Sequence, residues 1–182
     1  MAFRKIEAPI PGLYIFEPEV FGDERGYFKE TYNRDSFSDI GFNETFVQDN
    51  LSRSSRGVLR GLHFQAPPHA QGKLVTALEG SVLDVAVDIR RNSSHYGEHF
   101  SVELSATNHK LFWIPPGFAH GFLVLSETCL FHYKCTGVYR KEAEGGLLWN
   151  DPSLGIDWKI KEPVVSEKDS DNPRFGELAS PF

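Results

Sequence analysis

An all-β sandwich or barrel, with a jelly roll as the leading case, is what three features of this sequence predict. Short apolar and β-branched runs recur at roughly ten-residue spacing with turn residues between them. No helix-length periodicity occupies the middle of the chain. Sixteen Gly and 11 Pro among 182 residues supply the turns that many short strands need. The length suits one domain over residues 1–182 with a sizeable core.

The elements follow in order. Leu13 to Phe16 and Gly26 to Thr31 read as strands joined by the charged turn Gly22 to Gly26. Asp35 is placed to cap a short helix from Ser36 to Ile40, which Gly41 ends. Thr45 to Leu51 is the next strand, and its polar stretch Gln48-Asp49-Asn50 reads as a solvated edge. Strands then follow at Leu74 to Leu78, Ser81 to Ile89, Phe100 to Leu104 and Leu111 to Ile114. In Ser81 to Ile89, Leu83, Val85, Val87 and Ile89 alternate with Val82, Asp84, Ala86 and Asp88, the period of a half-buried strand. Pro115 to Gly121 reads as a rigid turn, with a strand resuming over Phe122 to Leu125. From Thr128 to Gly137, parity groups Cys129, Phe131, Tyr133 and Cys135 on one face, with Leu130, His132 and Lys134 on the other. Pro152 to Pro163 is irregular, and Ser166-Glu167-Lys168-Asp169 resembles a capping box that opens a short helix.

Composition limits the function. A net charge of -6 argues against general nucleic-acid binding, so an anionic ligand must be held by a local cluster of Arg and Lys. No apolar run approaches the ~20 residues of a membrane span, and residues 1–7 lack the apolar core of a signal peptide. A cytoplasmic protein is expected. Cys129 and Cys135 form neither a zinc knuckle nor a disulfide framework and read as buried thiols.

Chemistry concentrates in Gly57-Val58-Leu59-Arg60-Gly61-Leu62-His63-Phe64-Gln65, a strand that breaks at Pro67-Pro68. A half-buried imidazole beside Arg60 and Lys73 is costly unless an anion sits among them, which suits a neutral base near an anionic ligand. A core histidine with snorkelling basic neighbours fits this stretch equally well. Strict alternation also sets Arg60 and His63 on opposite faces, unless Gly61 carries a bulge.

The spacing from Gly57 to His63 matches the opening of the first cupin motif, and Pro115-Pro116-Gly117-Phe118-Ala119-His120 matches the Pro-x-Gly-x-x-His of the second. Metal-binding cupins have a second His where this chain has Gln65, and a Glu soon after, which is missing here. Two imidazoles fall short of the usual three protein ligands, so no metal and no other cofactor is expected.

Several long motifs in sequence carry a more specific resemblance. They are Phe21-Gly22-Asp23-Glu24-Arg25-Gly26, Phe46-Val47-Gln48-Asp49-Asn50, Val58 to Gln65, Asp84-Val85-Ala86-Val87-Asp88-Ile89-Arg90, Trp113 to Phe122 and Ser166 to Asp169. Through them, from about Gly12 to Asp169, the chain resembles the dTDP-4-dehydrorhamnose 3,5-epimerases, cofactor-independent sugar-nucleotide epimerases with a cupin-type jelly roll. The resemblance implies that His63 is the base that removes protons beside the C4 ketone and that Asp169 orients it. It implies that Tyr133 returns a proton to the opposite face and that Lys73 steadies the enolate oxygen. Arg60 and Arg25 are implied as diphosphate ligands and His120 as a sugar contact. Glu30, Gln48, Asn50, Glu144 and Lys168 are implied around the nucleotide, with Tyr139 stacked on thymine. A homodimer with exchanged N-terminal strands is implied too, so that Arg25 and Glu30 serve the neighbour's site. Single epimerases and ketoisomerases of related sugars, or a non-catalytic nucleotide-sugar-binding cupin, are the alternatives. The combination of His63, Lys73, Tyr133 and Asp169 argues against simple binding, which needs no base opposite an acid.

Overall fold

The computed structural model describes residues 2–182. Thirteen strands and two short helices follow one another as β1 (Phe3–Glu7), β2 (Tyr14–Pro18), β3 (Val20–Asp23), β4 (Gly26–Lys29), α1 (Arg34–Asp39), β5 (Gln48–Ser55), β6 (Leu59–Gln65), β7 (Lys73–Glu79), β8 (Ser81–Asp88), β9 (His99–Ser105), β10 (Leu111–Ile114), β11 (Phe118–Val124), β12 (Thr128–Cys135), β13 (Glu144–Gly146) and α2 (Glu167–Ser170). Two antiparallel sheets face each other, one in the order β1-β2-β10-β7-β12-β5 and the other β13-β6-β11-β8-β9. With β3 and β4 as a separate hairpin, this is the expected jelly roll.

Alternation fills the space between the sheets. Val75, Ala77, Phe112, Ile114, Cys129 and Phe131 from one sheet meet Val82, Ala86, Leu104, Phe118, Phe122 and Val124 from the other. The expectation of a half-buried strand at Ser81 to Ile89 fails, because β8 is buried on both faces over most of its length. Its outward residues Val85 and Val87, with Ile89 just beyond, pack under Leu147, Leu154 and Trp158 of the C-terminal segment. Asp84 therefore points into the barrel and has no exposed surface.

Other boundaries move as well. The cap of α1 is Asn33, whose Oδ1 accepts from Asp35 N at 3.0 Å and Ser36 N at 3.3 Å; Asp35 lies inside the first turn. Gly41 does end that helix, with Gly41 N donating to Ser38 O and Phe42 N to Phe37 O. β11 begins at Phe118, inside the stretch read as turn, so His120 is a strand residue. β5 starts at Gln48 and runs on to Ser55, forming a sheet edge whose exposed positions include Leu51 while Ser54 is buried. β1, β3 and β13 also form, outside the strands expected from sequence.

Gly61 resolves the parity conflict. Against β11, His63 pairs with His120 but Arg60 pairs with Phe122, so β6 spends one extra residue and turns both side chains inward. Gly61 has φ of 140°, and a Cβ there would lie 2.5 Å from the Gly121 Cα. Gly61→Ala is expected to lower unfolding free energy by roughly 1–3 kcal/mol, the usual cost of overpacking. Urea unfolding of the purified variant checks this, and a wild-type value would contradict the role given to the bulge.

Candidate active site

The bulged strand presents His63 to a cavity of about 500 Å³ between the sheets. Helix α2 brings Asp169 to the same place, its turn closed by Ser166 Oγ accepting from Asp169 N at 3.1 Å. Asp169 Oδ1 meets His63 Nε2 at 2.6 Å, and Oδ2 accepts from Gly61 N at 3.1 Å. Burial would raise the Asp169 carboxyl, but the His63 hydrogen bond and ring charge, the Gly61 N–H and Lys168 together hold it below the ordinary value. An ionised Asp169 assigns the ring proton to Nε2. Nδ1 has no protein partner among the described residues and is left as the proton acceptor.

His120 and Asp84 form a second, deeper pair on the five-stranded sheet, with His120 Nε2 at 2.9 Å from both carboxylate oxygens. Burial dominates here and holds the imidazole neutral, its pKa lowered in spite of Asp84. The opposite wall, from the six-stranded sheet, contributes Lys73 and Tyr133. Burial lowers the Lys73 ammonium pKa, opposed by Cys135, Asp84 and Glu144. A poorly solvated cation of this kind gains most from an anion that forms beside it. Burial raises the Tyr133 phenol, with Cys135 adding to the shift and Arg60 opposing it, so it stays protonated at neutral pH. As parity indicated, Tyr133 points inward with Phe131, which stacks on Phe122 at 4.2 Å between centroids.

Arg60 lines the same cavity, its Nε donating to Ser54 Oγ at 3.1 Å, and Lys168 stands at its rim. A neighbouring cavity of about 290 Å³ shares His63, Lys73 and Tyr133 with the first and adds Gln48, Asn50, Tyr139 and Glu144. Gln48 Oε1 accepts from Tyr139 N at 2.9 Å, and Glu144 joins Tyr139 Oη at 3.0 Å to Lys168 Nζ at 2.5 Å. The polar part of β5 thus faces a cavity as well as forming a sheet edge. Arg25 and Glu30 are not brought to either cavity. Arg25 pairs with Asp23 on the exposed β3–β4 hairpin, and Glu30 accepts from Asn33 Nδ2 at 2.9 Å beside α1.

Two residues, Asp84 and Ser52, escaped the sequence reading of the site. Asp84 carried a signal, an acidic residue between small neighbours Val82 and Ala86 on the barrel-facing parity of its strand. Ser52 lines the larger cavity with a buried hydroxyl that has no protein partner, and only the inverted polarity of β5 hints at it. Gln65, where a metal-binding cupin has a ligand His, is occupied structurally: Nε2 donates to His69 O at 2.8 Å and Oε1 accepts from Arg140 N at 2.6 Å.

The family model for dTDP-4-dehydrorhamnose 3,5-epimerase matches residues 7–177. The chain belongs to this family. It is 51% identical over 171 residues to the dTDP-4-dehydrorhamnose 3,5-epimerase of Shigella flexneri, covering 93% of this chain and 94% of that one. Its fold matches the crystal structure of the Elizabethkingia anophelis dTDP-4-dehydrorhamnose 3,5-epimerase with a TM-score of 0.91 at 53% identity, over 97% of this chain and 98% of that one. It matches the Legionella pneumophila dTDP-6-deoxy-D-glucose-3,5-epimerase, in complex with dTDP-4-keto-L-rhamnose, with a TM-score of 0.92 at 47% identity, over 97% and 94% of the two chains.

The depressed Asp169 pKa gives the family's site a pH signature. A carboxyl whose folded pKa lies below its unfolded value of about 3.9 stabilises the fold above that value, and the contribution vanishes as pH falls through the folded pKa. The stability gap between wild type and Asp169→Asn should be full near about pH 5 and shrink below about pH 4. Urea unfolding at each pH measures it, and a gap that widens with acid would contradict an ionised Asp169.

Proposed function

We propose that this chain is a dTDP-4-dehydrorhamnose 3,5-epimerase, converting dTDP-4-dehydro-6-deoxy-D-glucose to dTDP-4-dehydro-L-rhamnose for dTDP-rhamnose biosynthesis. The observation that carries the reading is a carboxylate-held His63 on one sheet and a protonated Tyr133 on the other, lining one cavity. Inversion needs a base on one face of the carbon and a donor on the opposite face. His63 Nδ1 takes the proton beside the C4 ketone, Asp169 stabilises the resulting imidazolium, and Tyr133 Oη returns a proton. Roughly ten pKa units separate such a carbon acid from a free imidazole, each worth about 1.36 kcal/mol. Lys73 supplies the countercharge to the enolate oxygen in a water-poor cavity.

Arg60 and the free Ser52 hydroxyl are suited to the diphosphate, and Gln48, Asn50, Tyr139, Glu144 and Lys168 to the nucleoside. No metal takes part in this reading, since Gln65 is committed to two loop backbones. We further infer a homodimer. The hairpin carrying Arg25 exposes Phe21, Tyr27 and Phe28, and the outer side of β5 exposes Leu51, which together offer apolar surface for a second copy. Arg25 and Glu30 then complete the partner's site.

Two experiments test these statements. In deuterated water the wild type should place label at C3 and C5 by NMR. His63→Asn should lose exchange and turnover together by at least ~10²-fold. Tyr133→Phe should still exchange while inverted product becomes scarce, and equal loss of both would remove Tyr133 as the acid. For the dimer, Arg25→Ala and His63→Asn subunits are unfolded together and refolded as a mixture. Each mixed dimer then regains one intact site, so a 1:1 mixture should recover about a quarter of wild-type activity. No recovery would place Arg25 in its own subunit's site.

A further inference from the structure

Asp84 has no place in the proton transfers just described, yet it is a completely buried carboxylate behind His120, which lines the catalytic cavity. A group of that kind persists only when its partner makes it necessary, because burying an ion without compensation is costly. Its hydrogen-bond partner among the described residues is the His120 ring. His120 is itself 6% exposed, sits directly across from His63 in the β6–β11 register and lines the cavity.

We propose that Asp84 is a positioning residue that locks His120 in the Nε2–H tautomer, so that the ring presents a bare Nδ1 as a hydrogen-bond acceptor to a hydroxyl of the bound sugar. The inference rests on the reading of this cavity as a 4-keto-sugar site. Three observations support it. The two Nε2–oxygen distances are both 2.9 Å, so one ring N–H reaches both oxygens; burial raises the Asp84 carboxyl, and the His120 ring and Lys73 oppose that shift and favour the ionised form that the shared N–H requires. A protonated carboxyl has a single O–H and would favour one oxygen. Nδ1 has no partner within the described protein, whereas a purely structural buried histidine has both nitrogens satisfied. Finally, the ring is kept neutral by burial and by the nearby Lys73 and His63, against the opposing pull of Asp84. A neutral ring with its only proton facing Asp84 cannot donate to the ketone. Stabilising the enolate oxygen is thereby left to Lys73, and His120 reads a donor hydroxyl instead.

The test begins with the wild-type enzyme carrying ¹⁵N-histidine, the His120 signals being assigned by comparison with His120→Asn. The expected spectrum at neutral pH shows a protonated Nε2 and a bare Nδ1; an Nδ1–H ring or an imidazolium overturns the proposal, whether or not the enzyme turns over its expected substrate. Asp84→Asn keeps the shape but can donate an amide N–H to Nε2, which moves the ring proton to Nδ1 and turns the acceptor into a donor. In that variant kcat/KM for the 4-keto sugar nucleotide should fall roughly 10- to 100-fold, the range for one hydrogen bond reversed. The Kd of dTDP, which lacks the sugar, should stay within about twofold. A comparable loss of dTDP affinity, or near-wild-type turnover, overturns the proposal. Should Asp84→Asn fail to fold, the wild-type spectrum decides alone.

Discussion

The Asp169 carboxylate joins a backbone irregularity to a chemical group. A bulge in β6 turns Arg60 and His63 to one side, and it frees the Gly61 N–H from the β6–β11 ladder. A freed buried N–H needs an acceptor, since leaving it unpaired costs on the order of 1–3 kcal/mol. Asp169 meets that need with one oxygen and holds His63 with the other. The group that satisfies the bulge and the group that orients His63 are therefore the same carboxylate. This explains why the site tolerates a buried ion: two donors and α2 define its position.

The two sheets divide the work by polarity. The five-stranded sheet is covered on its outer face by the C-terminal segment, so it is a rigid wall carrying His63 and His120. The close backbone approach of Gly61 to Gly121 leaves no room for a side chain on either strand. The six-stranded sheet supplies Lys73 and Tyr133 and, at its edge, an inverted strand. Along β5 the inward positions Gln48, Asn50, Ser52 and Ser54 are polar, while Leu51 points out. A sheet normally hides its apolar side, so this inversion marks a strand whose inner side borders a cavity that takes polar groups.

Much of this was legible before the structure. Alternation placed Tyr133 with Phe131 inside and His132 with Lys134 outside, where Lys134 meets Asp49 at 2.8 Å. It failed where a residue's surroundings come from distant chain. β8 read as half-buried because nothing local announces that residues 147–158 cover its other face. Pro115-Pro116-Gly117 correctly signalled a turn, but the turn ends at once because Phe118, Phe122 and Val124 alternate into the core. The bulge at Gly61 was legible only as a contradiction between parity and chemistry, which a glycine at that position is able to relieve. Asp84 was visible as an acid on the wrong face, and its partner 36 residues away was not. Arg25 and Glu30 lie outside both cavities, on the β3–β4 hairpin and beside α1, because their local partners Asp23 and Asn33 hold them there.

The spacing of the dyad along the chain has a consequence for biosynthesis. Asp169 follows His63 by 106 positions, and the strands that build both walls of the cavity lie before it. During translation the barrel's sheets can pair while His63 still lacks its carboxylate and the Gly61 N–H its acceptor. The carboxylate that satisfies both is thus delivered last, after the strands of the scaffold. A nascent chain that has paired its sheets is structurally advanced while the hydrogen bonds that orient His63 still await α2.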